Sequence, residues 1–279
     1  MSPATWGPVD ANISILFTEL PLLERPAAAR EAGLTAIEAW WPFGAIVPGD
    51  AEVDAFERAV RDAGVQLVSL NGFAGDMAAG ERGIVSWPGR RPEFLDNLDV
   101  VMGLGGRLGC RRFNMLYGNR VEGADPAGQD ELAGQNLADA ARAAQQIGAA
   151  IVVEPLSGAP QYPLRTAADV IAVLDRLPQD VAPAARLLAD VYHLCVNGED
   201  VAATLDRVYP RIGHVQVADA PGRHEPGTGT ADLDGWAAQL RRLGYDGWIG
   251  LEYAPLEDTV TGLRRMGLGG GTGPAPRPA

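Results

Sequence analysis

Four residues have side chains that can bind a cation or carry a proton, and each belongs to an apolar run. Glu154 closes Ala150-Ile151-Val152-Val153 and is followed by Pro155, while Asp190 closes Leu187-Leu188-Ala189. Gln216 sits inside His214-Val215-Gln216-Val217, and Glu252 closes Trp248-Ile249-Gly250-Leu251. Three carboxylates and one amide oxygen form an all-oxygen set, which suits Mg²⁺ or Mn²⁺ and is poor for Zn²⁺. Without a cation, carboxylates converging in a dry cleft repel one another and some must protonate. The alternative for each is an ion pair with an Arg or Lys on a neighbouring loop.

All three histidines lie between residues 193 and 224. His193 follows Asp190 by three residues and reads as facing a substrate. His214 precedes Gln216 by two, so both point to one side of an extended strand, with His214 behind the ligand set. The segment Pro221-Gly222-Arg223-His224-Glu225-Pro226-Gly227 is the most polar stretch of this region. The planar fork of Arg223 matches a substrate carboxylate, the alternative being a loop ion pair with Glu225 or Asp219. Trp40, Trp41, Phe43 and Trp87 can wall a small polar substrate from water or simply pack.

The elements that must position these residues follow from punctuation. Strands are expected at Asn12 to Phe17, Ala36 to Trp41, Gln66 to Asn71, Arg112 to Leu116, Ala150 to Pro155, Ala185 to Tyr192, Ile212 to Ala218 and Gly247 to Glu252. The fifth has β-branched residues at every position from 151 to 153, as a strand buried on both faces does. Helical segments alternate with them: Pro21 to Ala32, Glu52 to Ala63, Glu93 to Leu108, Asp130 to Ile147, Thr166 to Leu177, Asp200 to Val208, Leu233 to Leu243 and Glu257 to Met266. Gly33, Gly64, Gly148 and Gly244 follow helix ends. Gly72 to Pro88 has no helical period, and a loop that long inside a compact domain is usually functional.

Strand–helix units at a spacing of about 30 residues point to a single (β/α)₈ TIM barrel over residues 1–266, with the active site at the C-terminal rim of the strands. Residues 267–279 are Gly- and Pro-rich and read as a disordered tail. The formal net charge of −13 argues against a nucleic-acid partner and against anionic membrane surfaces. No apolar run approaches the ~20 residues of a membrane span, and Met1 to Val9 does not read as a signal peptide. Cys110 and Cys195 read as buried reduced thiols. The expected location is cytoplasmic.

The sequence resembles the hydroxypyruvate isomerase family of the xylose-isomerase-like barrels. The likeness rests on Asn71-Gly-Phe-Ala-Gly-Asp-Met-Ala-Ala-Gly-Glu-Arg-Gly83, Glu154-Pro-Leu, Asp190-Val-Tyr-His193, His214 to Gly227, and Gly244-Tyr-Asp-Gly-Trp-Ile-Gly-Leu-Glu-Tyr253, with Phe17 to Arg25 also contributing. It implies that Glu154, Asp190, Gln216 and Glu252 bind a divalent metal, Mg²⁺ or Mn²⁺, with turnover in its absence left open. Glu154 and Glu252 would be the acid/base pair. His193, Arg223 and Asn71 would contact the substrate, with His214 and Glu225 supporting them.

The implied reaction is an aldose–ketose isomerisation of a small hydroxy-carbonyl acid through a metal-stabilised enediolate, hydroxypyruvate to tartronate semialdehyde. The alternatives are a 2-oxo-tetronate isomerase, a ketose 3-epimerase on the same site, or a barrel that binds without turnover. The partner is a small molecule, and the resemblance admits a homo-oligomer. Three positions depart from the family pattern. Ser157 replaces an Asn, the loop Gly158 to Pro163 lacks the usual Asp-x-Pro-Gly-Tyr, and Ala254 stands where a basic residue is frequent.

Overall fold

Strands apolar on both faces must be covered on both, and here the chain achieves this by closing the sheet and wrapping it in helices. The computed structural model describes residues 6–268. Its parallel strands are β1 (Val9–Asn12), β2 (Ala36–Ala39), β3 (Gln66–Asn71), β4 (Arg112–Asn114), β5 (Ala150–Val153), β6 (Ala185–Asp190), β7 (Ile212–Val217) and β8 (Ile249–Leu251). They pair in chain order, and β1 meets β8 to close the barrel. The single (β/α)₈ barrel expected from the sequence is therefore the fold.

Around it lie α1 (Arg25–Glu31), α2 (Asp50–Ala63), α3 (Arg91–Leu108), α4 (Pro126–Gln146), α5 (Ala167–Leu174), α6 (Val191–Val196), α7 (Val201–Val208), α8 (Leu233–Leu243) and α9 (Thr259–Arg265). Helix α2 shows why they pack: Val53, Phe56 and Val60 share one face and are buried. Burying a side chain such as Phe56 stabilises by about 1.5–3 kcal/mol. The helix stops at Gly64, whose φ of 65° is left-handed and favours glycine. Among the described residues no helix is long and apolar enough to cross a membrane.

Two boundaries differ from expectation in ways that matter for the site. The first strand is Val9–Asn12, not Asn12 to Phe17. Asn12 Oδ1 accepts from the Ser14 amide at 3.0 Å, and the Asn12 carbonyl accepts from the Leu16 amide, so the chain turns where a strand was expected. Ile13, Leu16 and Phe17 are buried in that turn, which is why the segment is apolar. The sixth strand ends at Asp190 instead of running to Tyr192. There Asp190 Oδ1 accepts from the Tyr192 amide at 2.9 Å and caps the short helix α6.

Smaller differences are the later start of α9, the shorter β4 and β8, and Cys195, which is only partly buried whereas Cys110 is fully so. Residues 269–279 of the proposed tail lie outside the described residues. Leu268 donates its amide to the Leu263 carbonyl and packs on the core.

Candidate active site

Parallel strands alternate inward and outward side chains, so residues two apart on a strand share the barrel interior. Glu154 and Glu252 emerge just past the ends of β5 and β8, Asp190 ends β6, and Gln216 lies near the end of β7. All four are at most 5% exposed. Glu154, Glu252, Asn71, His193 and Arg223 line one cavity of about 180 Å³ together with Trp40. Asp190 and Gln216 do not line the cavity but touch residues that do: Asp190 lies against Arg223 and His193, and Gln216 donates to Glu252.

Arg223 holds this set electrically. Its Nη2 donates to Glu252 Oε1 at 2.5 Å and lies 3.5 Å from Asp190 Oδ2. Its guanidinium stacks 5.3 Å from the Tyr192 ring centre. The loop that delivers it is built on Asp219, whose carboxylate accepts from the amides of Ala220, Gly227 and Ala231. Arg223 itself has φ 57°, a left-handed conformation that costs about 1 kcal/mol or more for a residue with a side chain. Arg223 therefore pairs with neither Glu225 nor Asp219 through its side chain; its neighbours are the carboxylates of the site. Glu225 lies away from the cavity. It is buried and accepts from the Leu256 amide at 3.0 Å, tying the loop to the segment that leads into α9.

His193 is fixed by Ser157. The Ser157 amide donates to His193 Nδ1 at 3.0 Å, so the ring proton is on Nε2, which lies 3.5 Å from Asp190 Oδ2. Burial lowers the His193 pKa to about 4, the nearby Asp190 charge opposing that only in part. The ring is neutral and can donate through Nε2. Ser157 Oγ also lies 2.7 Å from His193 Nδ1, so the serine that departs from the family pattern adds a side-chain contact to the one its amide makes.

Below the rim lies a second polar layer that inspection of the sequence missed: Asp10, Asn12, Glu38 and Asn114, all at most 1% exposed. Asn12 Nδ2 donates to Glu38 Oε1 (3.1 Å) and Glu252 Oε2 (2.9 Å). Gln216 Nε2 donates to the same two atoms at 2.7 and 2.6 Å. His214 Nε2 lies 2.6 Å from Glu38 Oε2, which places His214 beneath Gln216. Asn114 Nδ2 donates to Glu154 Oε1 at 2.7 Å. Gly250 makes room for this layer, since a Cβ there would stand 2.8 Å from Glu38 Oε1. Glu38 carried a signal in the sequence, as the lone charge in the apolar run Ala36 to Trp41. Asp10 and Asn12 were hidden by the misplaced first strand.

Burial drives the carboxyls upward. Glu154 is raised to about 8, first by burial and then by the Asp190 charge, with the Asn114 hydrogen bond and Arg223 opposing. Glu252 is raised well above the usual carboxylate range by burial, with Arg223 opposing and Glu38, Glu154 and Asp190 adding to the rise. Asp10 is raised by burial and by Glu38 and Glu252. Protonation states here depend on what cation is nearby.

The residues fit a divalent ion. Among the described residues Asp190 Oδ2 and Gln216 Oε1 are buried oxygens that accept no hydrogen bond, which suits them to a cation. Glu154, Asp190 and His193 offer atoms within 4.8 Å of one another, as do Asp10, Glu38 and His214.

A model of the xylose isomerase-like TIM barrel matches residues 26–267. The chain belongs to that family. Within it, this barrel sits in the hydroxypyruvate isomerase group. It is 51% identical over 254 residues to a protein of Streptomyces coelicolor named provisionally as hydroxypyruvate isomerase, covering 89% of this chain and 91% of that one. It is 34% identical over 256 residues to the 2-oxo-tetronate isomerase of Cupriavidus necator, covering 91% and 95%. It is 30% identical over 259 residues to the hydroxypyruvate isomerase of Escherichia coli, covering 92% and 96%.

Proposed function

We propose that this barrel is a keto-acid isomerase that interconverts hydroxypyruvate and 2-hydroxy-3-oxopropanoate, with Glu154 and Glu252 as its acid/base pair. The observation that carries the reading is their placement: two buried carboxyl groups, just past the ends of β5 and β8, line one small cavity. The names of the three relatives support the isomerase class.

The reaction removes a proton from C3 of hydroxypyruvate, leaving an enediolate across C2 and C3, and returns a proton to C2. A proton also passes from the C3 oxygen to the C2 oxygen. Such transfer needs one carboxylate and one carboxylic acid at the same pH, with environments that separate them. Glu252 accepts from Asn12, Gln216 and Arg223, three donors that favour its charged form. Among the described residues the Glu154 carboxyl accepts from Asn114 alone, and it faces Asp190, which favours its proton. Burial and the neighbouring carboxylates raise Glu252 as well, so it is its three donors that make Glu252 the base and Glu154 the acid in the direction from hydroxypyruvate. His193 donates from Nε2 and Arg223 balances the negative charge of the intermediate. Glu154, Asp190, Gln216 and Glu252 would hold Mg²⁺ or Mn²⁺, which supplies positive charge beside the substrate oxygens and lowers the proton affinity of the carboxylates.

A second reading, 2-oxo-tetronate isomerisation, is favoured by the relative of that name and by Ser157 at a position next to the cavity. Proton NMR in D₂O with hydroxypyruvate, 2-oxo-tetronate and a free ketose separates these. Deuterium in hydroxypyruvate and its isomer is expected. Exchange in the four-carbon acid alone would move the assignment to the second reading, and inversion of a ketose centre would make the protein an epimerase.

A further inference from the structure

The glycine-rich loop from Gly72 to Pro88 contributes nothing to the acid/base pair or the ligand set, yet it brings a cation to them. Arg82 lines the same cavity as Glu154 and Glu252. Its Nη1 donates to the carbonyls of Met77 (3.0 Å) and Glu81 (2.7 Å), and among the described residues it pairs with no carboxylate. The sequence pointed to Arg223 for a substrate carboxylate, but Arg223 is engaged by Glu252 and Asp190. A second arginine on this cavity is left with its charge uncompensated.

We propose that Arg82 anchors the substrate carboxylate and makes the site select short 2-oxo acids over neutral ketoses, an inference that rests on the isomerase reading above. The loop is built to hold it. Glu81 Oε2 accepts from the Asp76 amide (2.7 Å) and from Arg90 Nη1 (3.0 Å), and the Gly80 carbonyl accepts from Asn119 Nδ2 (2.8 Å). Gly83, adjacent to Arg82, has φ 104° and lies so close to the end of β4 that a Cβ would stand 2.0 Å from the Leu116 carbonyl oxygen. Only glycine fits there, and the close approach fixes where Arg82 leaves the backbone.

The two backbone contacts hold one nitrogen of the fork, leaving the other guanidinium N–H groups for a ligand. A cavity of about 180 Å³ is below the usual range for drug-sized ligands and fits a three- or four-carbon acid. A fixed cation on a wall shared with two carboxyls orients such a molecule, acid end to Arg82 and carbonyl end to Glu154 and Glu252. It also offsets, locally, the repulsion of an anion by a chain of net charge −13.

The test compares wild type with Arg82→Met and Arg82→Lys, using hydroxypyruvate, the neutral dihydroxyacetone and the inert acid glycerate. For Arg82→Met, KM for hydroxypyruvate is expected to rise on the order of 10–100-fold with kcat nearly unchanged, as losing a charge-assisted contact implies. Proton exchange into dihydroxyacetone is expected to be unaffected, and Arg82→Lys is expected to recover part of the loss. An unchanged KM, or an equal loss on the acid and the neutral ketose, would overturn the proposal while leaving the isomerase reading in place. If wild type exchanges no proton in any short oxo acid, that reading fails. Calorimetry with glycerate then decides separately: binding lost in Arg82→Met supports the anchor, and absent or Arg82-independent binding overturns it.

Discussion

The rim and the layer beneath it contain the same kinds of group, yet their surroundings differ. At the rim, Glu154 and Glu252 open on a cavity, and Arg223 lies against Glu252 and Asp190. Beneath, among the described residues, Asp10 and Glu38 pair with no arginine; Glu38 is held by His214 and by the amides of Asn12 and Gln216. Gln216 and Asn12 join the layers, since each donates to both Glu38 and Glu252. The lower layer holds the upper one through hydrogen bonds, and the cavity is lined from the upper one. Carboxylates on a cavity with a cation beside them can exchange protons with substrate; carboxyls closed in with amides can only position their neighbours.

Substitutions on either side sharpen that contrast. Glu252→Gln or Glu154→Gln is expected to lower kcat on the order of 10²–10⁴-fold, the usual worth of a general acid or base, without lowering the thermal midpoint. Steady-state kinetics beside calorimetric melting checks this. Glu38→Leu is expected to show the reverse weighting. It leaves His214 without its acceptor and costs about 1–3 kcal/mol of stability, read from urea unfolding, with a smaller fall in kcat.

The pH response tests the electrostatics. In metal-stripped protein kcat/KM for hydroxypyruvate is expected to fall as pH rises through the region of about 8 set by Glu154, the acid of the pair. Added Mg²⁺ or Mn²⁺ is expected to move the fall to lower pH, because a cation favours the charged carboxylate. For stability the direction is the same. Glu154 has a native pKa above its unfolded value, so the native state holds more protons. The stripped protein is therefore expected to lose stability as pH rises from about 5 towards 8, and melting curves across that range check it. The smallest effect is expected for Ser157→Ala, which removes the 2.7 Å Oγ contact to His193 Nδ1 but keeps the amide. About 1 kcal/mol or less is expected, with a slight rise in KM.

The upper layer was legible in the sequence and the lower one was not, for physical reasons. Glu154 ends a β-branched run before a proline, and Asp190 and Glu252 also end apolar runs, so polarity at a strand end marks them. The eight-stranded barrel could be read from the same punctuation. Asp10 and Asn12 precede a more apolar segment, Ile13 to Phe17, which drew the strand assignment onto itself although it is a buried turn. The helix after Asp190 is six residues long, too short to show a period. The partners of Arg223 depended on the path of its loop, set by Asp219 contacts to backbone amides, which side-chain types alone do not encode.

The most direct test of the acid/base pair is deuterium incorporation into hydroxypyruvate in D₂O by wild type, Glu154→Gln and Glu252→Gln, each with Mn²⁺ and with glycerate binding measured in parallel. Wild type is expected to exchange, and both variants are expected to bind glycerate but lose exchange. Near-normal exchange in either variant would contradict the assignment of that glutamate to proton transfer.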